Sequence, residues 1–241
     1  MIVKIRNRKP DIANSITMSQ SLNEINSRHV SLVFDTETSG LWPRDSNMAI
    51  EEYPYIVQMS FILYDNEKNK ILRSYNSYIK PTANIDFNSQ AFKITKITKE
   101  MCDNGVHITE ALQEFYLCYM ISGNIVAHNI EFDKKMIQLE ILRHYNTLCK
   151  QIEGPHILFN EAFNDVFNIK TCCTMYMGKN ITNIMMTGKD GNQWKKNPKL
   201  SELYEKLFNK KAENLHDSMV DTKICLQCFI KIRYNKIISI E

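Results

Sequence analysis

Three strand-like runs follow one another with almost no room between them, and they limit the chain's fold more than any other feature. VSLVFDTE, YPYIVQMSFILYD and ILRSYNSYIKP are rich in β-branched and aromatic residues, and NEKNK between the last two has the composition of a hairpin turn. Strands this close in sequence pair antiparallel, so the chain opens its folded part with a meander. After a connection containing AFKITKITKEM the pattern changes. A helix is expected over Thr109–Ile121, then a short strand, NIVAH, and then a helix from Ile130 to Asn146. VFNIKT reads as a further strand, CTMYMG as a short helix, TGKDGNQWKKNPK as a polar hairpin-like loop, and LSELYEKLF and SMVDTKICLQCFIKI as two more helices. A meander followed by strands alternating with helices implies an α/β fold with a mixed five-stranded sheet covered by helices.

At 241 residues and 28.2 kDa, with 44% hydrophobic content, the chain can bury one sizeable core. Residues 1–29 are basic and polar with little apolar period and read as an extension, residues 30–236 as the folded domain, and residues 237–241 as a short tail. The net charge of +3 permits a polyanionic partner without requiring one. Seven cysteines in an odd, scattered set, without a signal-peptide pattern, point to reduced thiols in a cytoplasmic or nuclear compartment. Cys225 and Cys228 have no second pair at ligand spacing and read as buried helix thiols rather than a zinc site. No apolar run has the length of a membrane span, so a soluble chain with no membrane partner is expected.

The chemistry gathers around carboxylates. In SLVFDTETSGL the oily run Leu32–Phe34 leads straight into Asp35 and Glu37, which share one face of a strand because alternate residues do. Two anions on one face repel, so the pair needs either a cation or exposure at the turn TSG that follows. Asp133 heads the helical stripe Asp133, Ile137, Ile141 behind a candidate N-cap, Asn129, and Asp221 heads the stripe Asp221, Ile224, Cys225, Cys228, Ile232. Either acid alone could simply complement a helix dipole. Together with the strand pair they form four carboxylates that converge only around positive charge, and oxygen ligands suit magnesium or manganese. Two such ions serve in-line displacement at phosphorus. His216 stands five residues before Asp221, on the loop entering that helix, where an imidazole can take a proton from an attacking water.

At these residues the chain resembles the DEDDh subgroup of the DEDD 3'-5' exonucleases, the superfamily that includes the epsilon proofreading subunit of bacterial DNA polymerase III. FDTETSGL, AHNIEFD and HDSMVD stand in the family's order, and the resemblance runs from Val30 to Arg233. It implies a ribonuclease H-like fold and hydrolysis from the 3' end of single-stranded DNA or RNA, with release of nucleoside 5'-monophosphates and DNA the preferred polymer. It also implies two Mg2+ or Mn2+ ions held by Asp35, Glu37, Asp133 and Asp221, with His216 as general base. Thr38, Ser39 and Gly40 would let backbone approach the terminal nucleotide, Leu41 would wedge against its base, and Phe132, Asn129 and His128 would line the pocket. Plain core packing is the competing account for Leu41 and Phe132. The chain departs from many relatives at Thr95-Lys96-Ile97-Thr98, at Gln90 and at Ser218.

A strand-feeding channel combines basic groups with aromatic faces, and GKDGNQWKKNPK, with Lys189, Trp194, Lys195 and Lys196, has that composition. It equally fits a solvated hairpin whose Trp is anchored in the core. Two rival readings remain. One is a binding module that has lost its ligands, although all five core residues are present. The other is a polymerase, replication or repair partner, docking through the N-terminal extension. Oligomeric state is left open.

Overall fold

The computed structural model describes residues 29–43 and 48–240, so the expected N-terminal extension, apart from His29, lies outside the described residues. Strand β1 (Val30–Thr38) pairs antiparallel with β2 (Ile56–Asp65), which pairs antiparallel with β3 (Lys70–Tyr78). On its other side β1 runs parallel to β4 (Asn124–Ala127), and β4 runs parallel to β5 (Lys170–Cys173). The order β3-β2-β1-β4-β5 is the expected mixed five-stranded sheet. Every residue of β2 is buried, because helices cover both faces of the sheet centre.

One face packs against α3 (Ile108–Met120) and α4 (Ile130–Arg143), which follow two short helices, α1 (Gln90–Thr95) and α2 (Lys99–Asp103). Leu32, Phe34, Phe61, Phe115 and Ile137 share that core, with the Phe34 and Phe115 rings edge-on at 5.1 Å. Edge-on pairs contribute about 0.5–1.5 kcal/mol beyond the area they bury. Val33, Ile62 and Val126 point to the opposite face, against α9 (Ser218–Tyr234). Ile238 and Ile240, beyond that helix, pack on the same cluster. Burial raises the thiol pKa of Cys225 and Cys228, the latter to about 12, and both sit in the core as neutral thiols.

Between α4 and β5 lie α5 (Tyr145–Leu148) and α6 (Glu161–Phe167), the latter capped by Asn160 Oδ1 accepting from Phe163 N. The run VFNIKT is therefore not one strand. Val166 and Phe167 end α6, Asn168 turns the chain in the left-handed region, and β5 starts only at Lys170. A short apolar run is ambiguous between strand and helix end, and the Asn160 cap decided it. Helix α7 (Thr174–Thr182) leads into a hairpin of β6 (Met185–Thr187) and β7 (Gln193–Lys195), and α8 (Leu200–Phe208) follows. Gly178 lets α7 approach Leu203 of α8, since a Cβ there would meet the Leu203 methyl at 2.6 Å.

Candidate active site

The site forms where β1 runs out of sheet. The β1–β2 register slips between Glu37, opposite Gln58, and Thr38, opposite Ile56. A bulge of this kind bends a strand and re-aims its side chains. Asp35 and Glu37 lie on the Val33 face, towards α9, as the two-residue period requires. Asp133, buried in the first turn of α4, arrives from the opposite face and is held by β1 itself. Its Oδ1 accepts from Thr36 N at 3.1 Å and from Thr36 Oγ1 at 2.7 Å. The odd residue of Asp-Thr-Glu thus locks the third acid to the strand that carries the first two.

The fourth acid comes from α9. Asp221 Oδ2 accepts from His216 N at 3.2 Å, and Asp221 Oδ1 is buried with no hydrogen-bond partner. Ligand atoms of Glu37, His216 and Asp221 all lie within 4.8 Å of one another. His216 is exposed and holds φ at 72°, a left-handed conformation that costs a non-glycine residue about 1–3 kcal/mol and is held only where its surroundings fix it.

Electrostatics describe a site short of positive charge. Burial raises the Asp35 pKa well above the usual carboxylate range, and Asp133, Asp221, Glu37 and Asp217 each raise it further. Glu37 is pushed to about 8, chiefly by burial and then by Asp221 and Asp133. Asp133 reaches about 7 through burial, against the lowering effect of its Thr36 hydrogen bonds. Asp221 reaches about 6, again through burial first. Water would solvate these anions at a surface, but here they face one another, which divalent cations with oxygen preference would relieve. The unpartnered Asp221 oxygen and the mutually raised carboxylates fit such ions.

Several positioning groups, Gln58, Ser60 and Asp217 among them, were not singled out in the sequence, and they act together with Ser218. Gln58 is 1% exposed and lies opposite Glu37. Its Nε2 donates to Asp217 Oδ2 at 3.2 Å and to Asn76 Oδ1 at 3.1 Å, and its Oε1 accepts from Ser218 N at 3.3 Å. Ser60 and Ser218 hydroxyls meet at 2.6 Å, and Asp217 Oδ1 caps α9 by accepting from Met219 N and Val220 N. The two residues after His216 are therefore clamped to β2. A lone Gln in the apolar run YIVQMSFIL was the available signal, because a buried amide demands partners.

A cleft of about 550 Å³ opens beside the acids, between the turn Thr38–Leu41, α1 and Phe132. Thr38 Oγ1 donates to Gly40 O at 2.7 Å and shapes that turn. Leu41 is 84% exposed, so it is not a core residue, whereas Phe132 both lines the cleft and packs on the core. Gln90 and Thr95 line the cleft, Ile97 is buried with Val57 and Phe92, and Thr98 caps α2.

His128 and Asn129 do not line this cleft. His128 Nε2 donates to Pro198 O at 3.0 Å, so Nδ1 is the acceptor facing the Thr174 hydroxyl at 2.9 Å, and burial lowers its pKa. Asn129 is exposed and left-handed at φ 64°, and its side chain caps nothing in α4.

A mixed sheet with four acids converging at the end of its first strand defines a nuclease of the ribonuclease H-like class. Residues 32–229 match the family described as Exonuclease, RNase_T, and the chain belongs to this DEDD family of 3'-5' exonucleases. Solved structures resemble it at low identity. A 3'-exonuclease recognising the 3' end of a histone mRNA stem-loop has TM-score 0.60 and 11% identity, covering 87% of this chain and 83% of that one. The nuclease domain of 3'hExo, a DEDDh family member bound to rAMP, has TM-score 0.53 and 12% identity, with 88% and 98% covered. Exonuclease I of E. coli with a dA16 oligonucleotide has TM-score 0.58 and 18% identity, with 86% of this chain covered but only 41% of that one. No curated protein sequence matches the chain. No helix among the described residues is long and apolar enough to cross a membrane.

Proposed function

We infer that the protein removes nucleotides one at a time from the 3' end of single-stranded DNA, releasing nucleoside 5'-monophosphates, with Asp35, Glu37, Asp133 and Asp221 holding two Mg2+ or Mn2+ ions and His216 as general base. The observation that carries this reading is the meeting of Glu37, His216 and Asp221 within 4.8 Å, next to Asp35 and Asp133. When bound, such ions lower the pKa of water and neutralise charge at phosphorus. The chain's own contribution is orientation. Thr36 fixes Asp133, the Gln58 clamp fixes the His216 loop, and the exposed imidazole is free to accept the proton of the attacking water. The Thr38–Leu41 turn and Phe132 form the walls against which the terminal nucleotide rests.

DNA is favoured by the likeness of FDTETSGL and HDSMVD to proofreading members such as the epsilon subunit, which also makes a polymerase or repair assembly the natural partner. RNA is the second reading, favoured by the likeness to the exonuclease that recognises histone mRNA. Incubation of 5'-labelled single-stranded DNA and RNA with magnesium, manganese or chelator tests both. Metal-dependent laddering from the 3' end of DNA, absent in Asp35→Ala, is the expected result. Laddering of RNA alone would overturn the polymer preference, and intact label in every lane would overturn the catalytic role.

A further inference from the structure

The β6–β7 hairpin is not used by the catalytic site, and its chemistry is distinctive. All six of its paired residues are exposed. Met186 lies directly opposite Trp194, so the two side chains share one face of the ribbon. Trp194 is 49% exposed and Met186 42%, which rules out the alternative of a Trp anchored in the core. The indole edge rests near Gly188, where a Cβ would lie 3.1 Å from Trp194 Cζ3, so the glycine seats the ring at the hairpin tip.

Charge concentrates here as well. Residues 179–199 contain five lysines and one aspartate, a net +4, whereas the whole chain carries +3. Lys195 Nζ is held by Asn180 and Lys196 Nζ by Glu202, while Lys189 stands exposed at the tip. The hairpin closes through Lys196 N to Ile184 O, and two residues on, about 7 Å at most along an extended chain, Pro198 O accepts from His128. His128 follows β4 directly and precedes α4, the helix of Asp133. The hairpin is therefore anchored at the same sheet end as the acids.

We propose that this hairpin is a second contact for the substrate strand, stacking a base on Trp194 and Met186 and bringing phosphates to Lys189 and its neighbouring lysines, upstream of the nucleotide in the cleft. An exposed aromatic face among lysines suits a single-stranded polyanion, because every base offers a stacking face and every phosphate a charge. The proposal rests on the nucleic-acid substrate inferred above, but its test needs no catalysis.

Binding of labelled oligothymidylate and oligouridylate, 4 and 20 nucleotides long, is measured in chelator by fluorescence anisotropy. The intact protein is expected to bind a 20-mer more tightly than a 4-mer, and Trp194→Ala to lose about 5- to 150-fold on the 20-mer, the range of one stacked base. In Trp42→Phe, where Trp194 is the remaining tryptophan, the 20-mer should quench the indole emission. Lys189→Gln should reduce the slope of log affinity against log salt by about 0.7, one single-strand phosphate contact. Equal affinity of parent and Trp194→Ala for the 20-mer, with no quenching, would overturn the proposal and leave the hairpin free for a protein partner. A Trp194-dependent length advantage without 3' laddering would keep the proposal and sink the catalytic reading.

Discussion

On the function proposed above, catalysis should depend on residues that position the site, such as Gln58, as well as on those that meet the substrate. Removing the His216 imidazole, as in His216→Ala, should lower kcat by about 10²–10⁴-fold, the usual contribution of a positioned general base. Gln58 tests positioning. In Gln58→Leu the amide that bridges Asp217, Ser218 N and Asn76 is gone, so the His216 loop loses its tether while all five core residues remain. A displacement of about 1 Å costs up to roughly 10²-fold in rate, and kcat should fall by ten- to a hundredfold with KM unchanged at a temperature well below Tm. A rise in KM with kcat intact would show that Gln58 shapes the cleft instead. The Gln was visible in the sequence as a lone amide in an apolar run, but its partners lie on β3 and α9, which no local pattern could supply.

Elements hold the site through polar anchors as well as packing. Arg143, at the end of α4, donates to the carbonyls of Ile50, Tyr53 and Pro54 and to Glu140 Oε1 at 2.8 Å, and its guanidinium lies 3.7 Å above the Tyr55 ring. Arg143 and Glu140 side chains are only 5% and 2% exposed. The helix that brings Asp133 inward is thereby fastened at its far end to the segment entering β2. Arg143→Ala leaves the buried Glu140 without its guanidinium partner, with the hydrogen bond from Ile56 N at 3.2 Å remaining, and should destabilise the fold by about 3–5 kcal/mol in urea unfolding. A change within about 0.5 kcal/mol, the scale of a surface substitution, would show that the anchor carries no stability. Helices α3, α4, α8 and α9 were legible from their 3.6-residue stripes to within a few residues. The start of β5 was not, because Val166 and Phe167 suit a strand and a helix end equally and only the Asn160 cap and the left-handed Asn168 separate them.

The whole molecule should carry the carboxylate cluster as a pH-dependent liability that metal relieves. The folded pKa values of Glu37, Asp133 and Asp221, about 8, 7 and 6, and the raised Asp35 all lie above their unfolded values. Between pH about 4 and 8 the folded state therefore binds more protons than the unfolded chain, and the contribution of these groups to stability falls as pH rises. In chelator, the Tm advantage of Asp35→Asn over the parent should be small at pH 5 and widen towards pH 8. Mn2+ should raise the parent's Tm at pH 8 and much less at pH 5, where protons compete for the same oxygens. A Tm advantage that shrinks with pH, or a metal effect equal at both values, would contradict the cluster. The sequence by itself determined the sheet and its covering helices, and strand and helix periods place Asp35 with Glu37 and turn Asp133 and Asp221 inward, to the place where the structure also brings His216. Only the tertiary structure decided that Thr36 grips Asp133, that Gln58 clamps the loop of His216, that His128 serves the hairpin base rather than the cleft, and that Trp194 faces solvent. Those are contacts between elements distant in sequence, and a side chain's partners across a fold are set by packing, which no local period records.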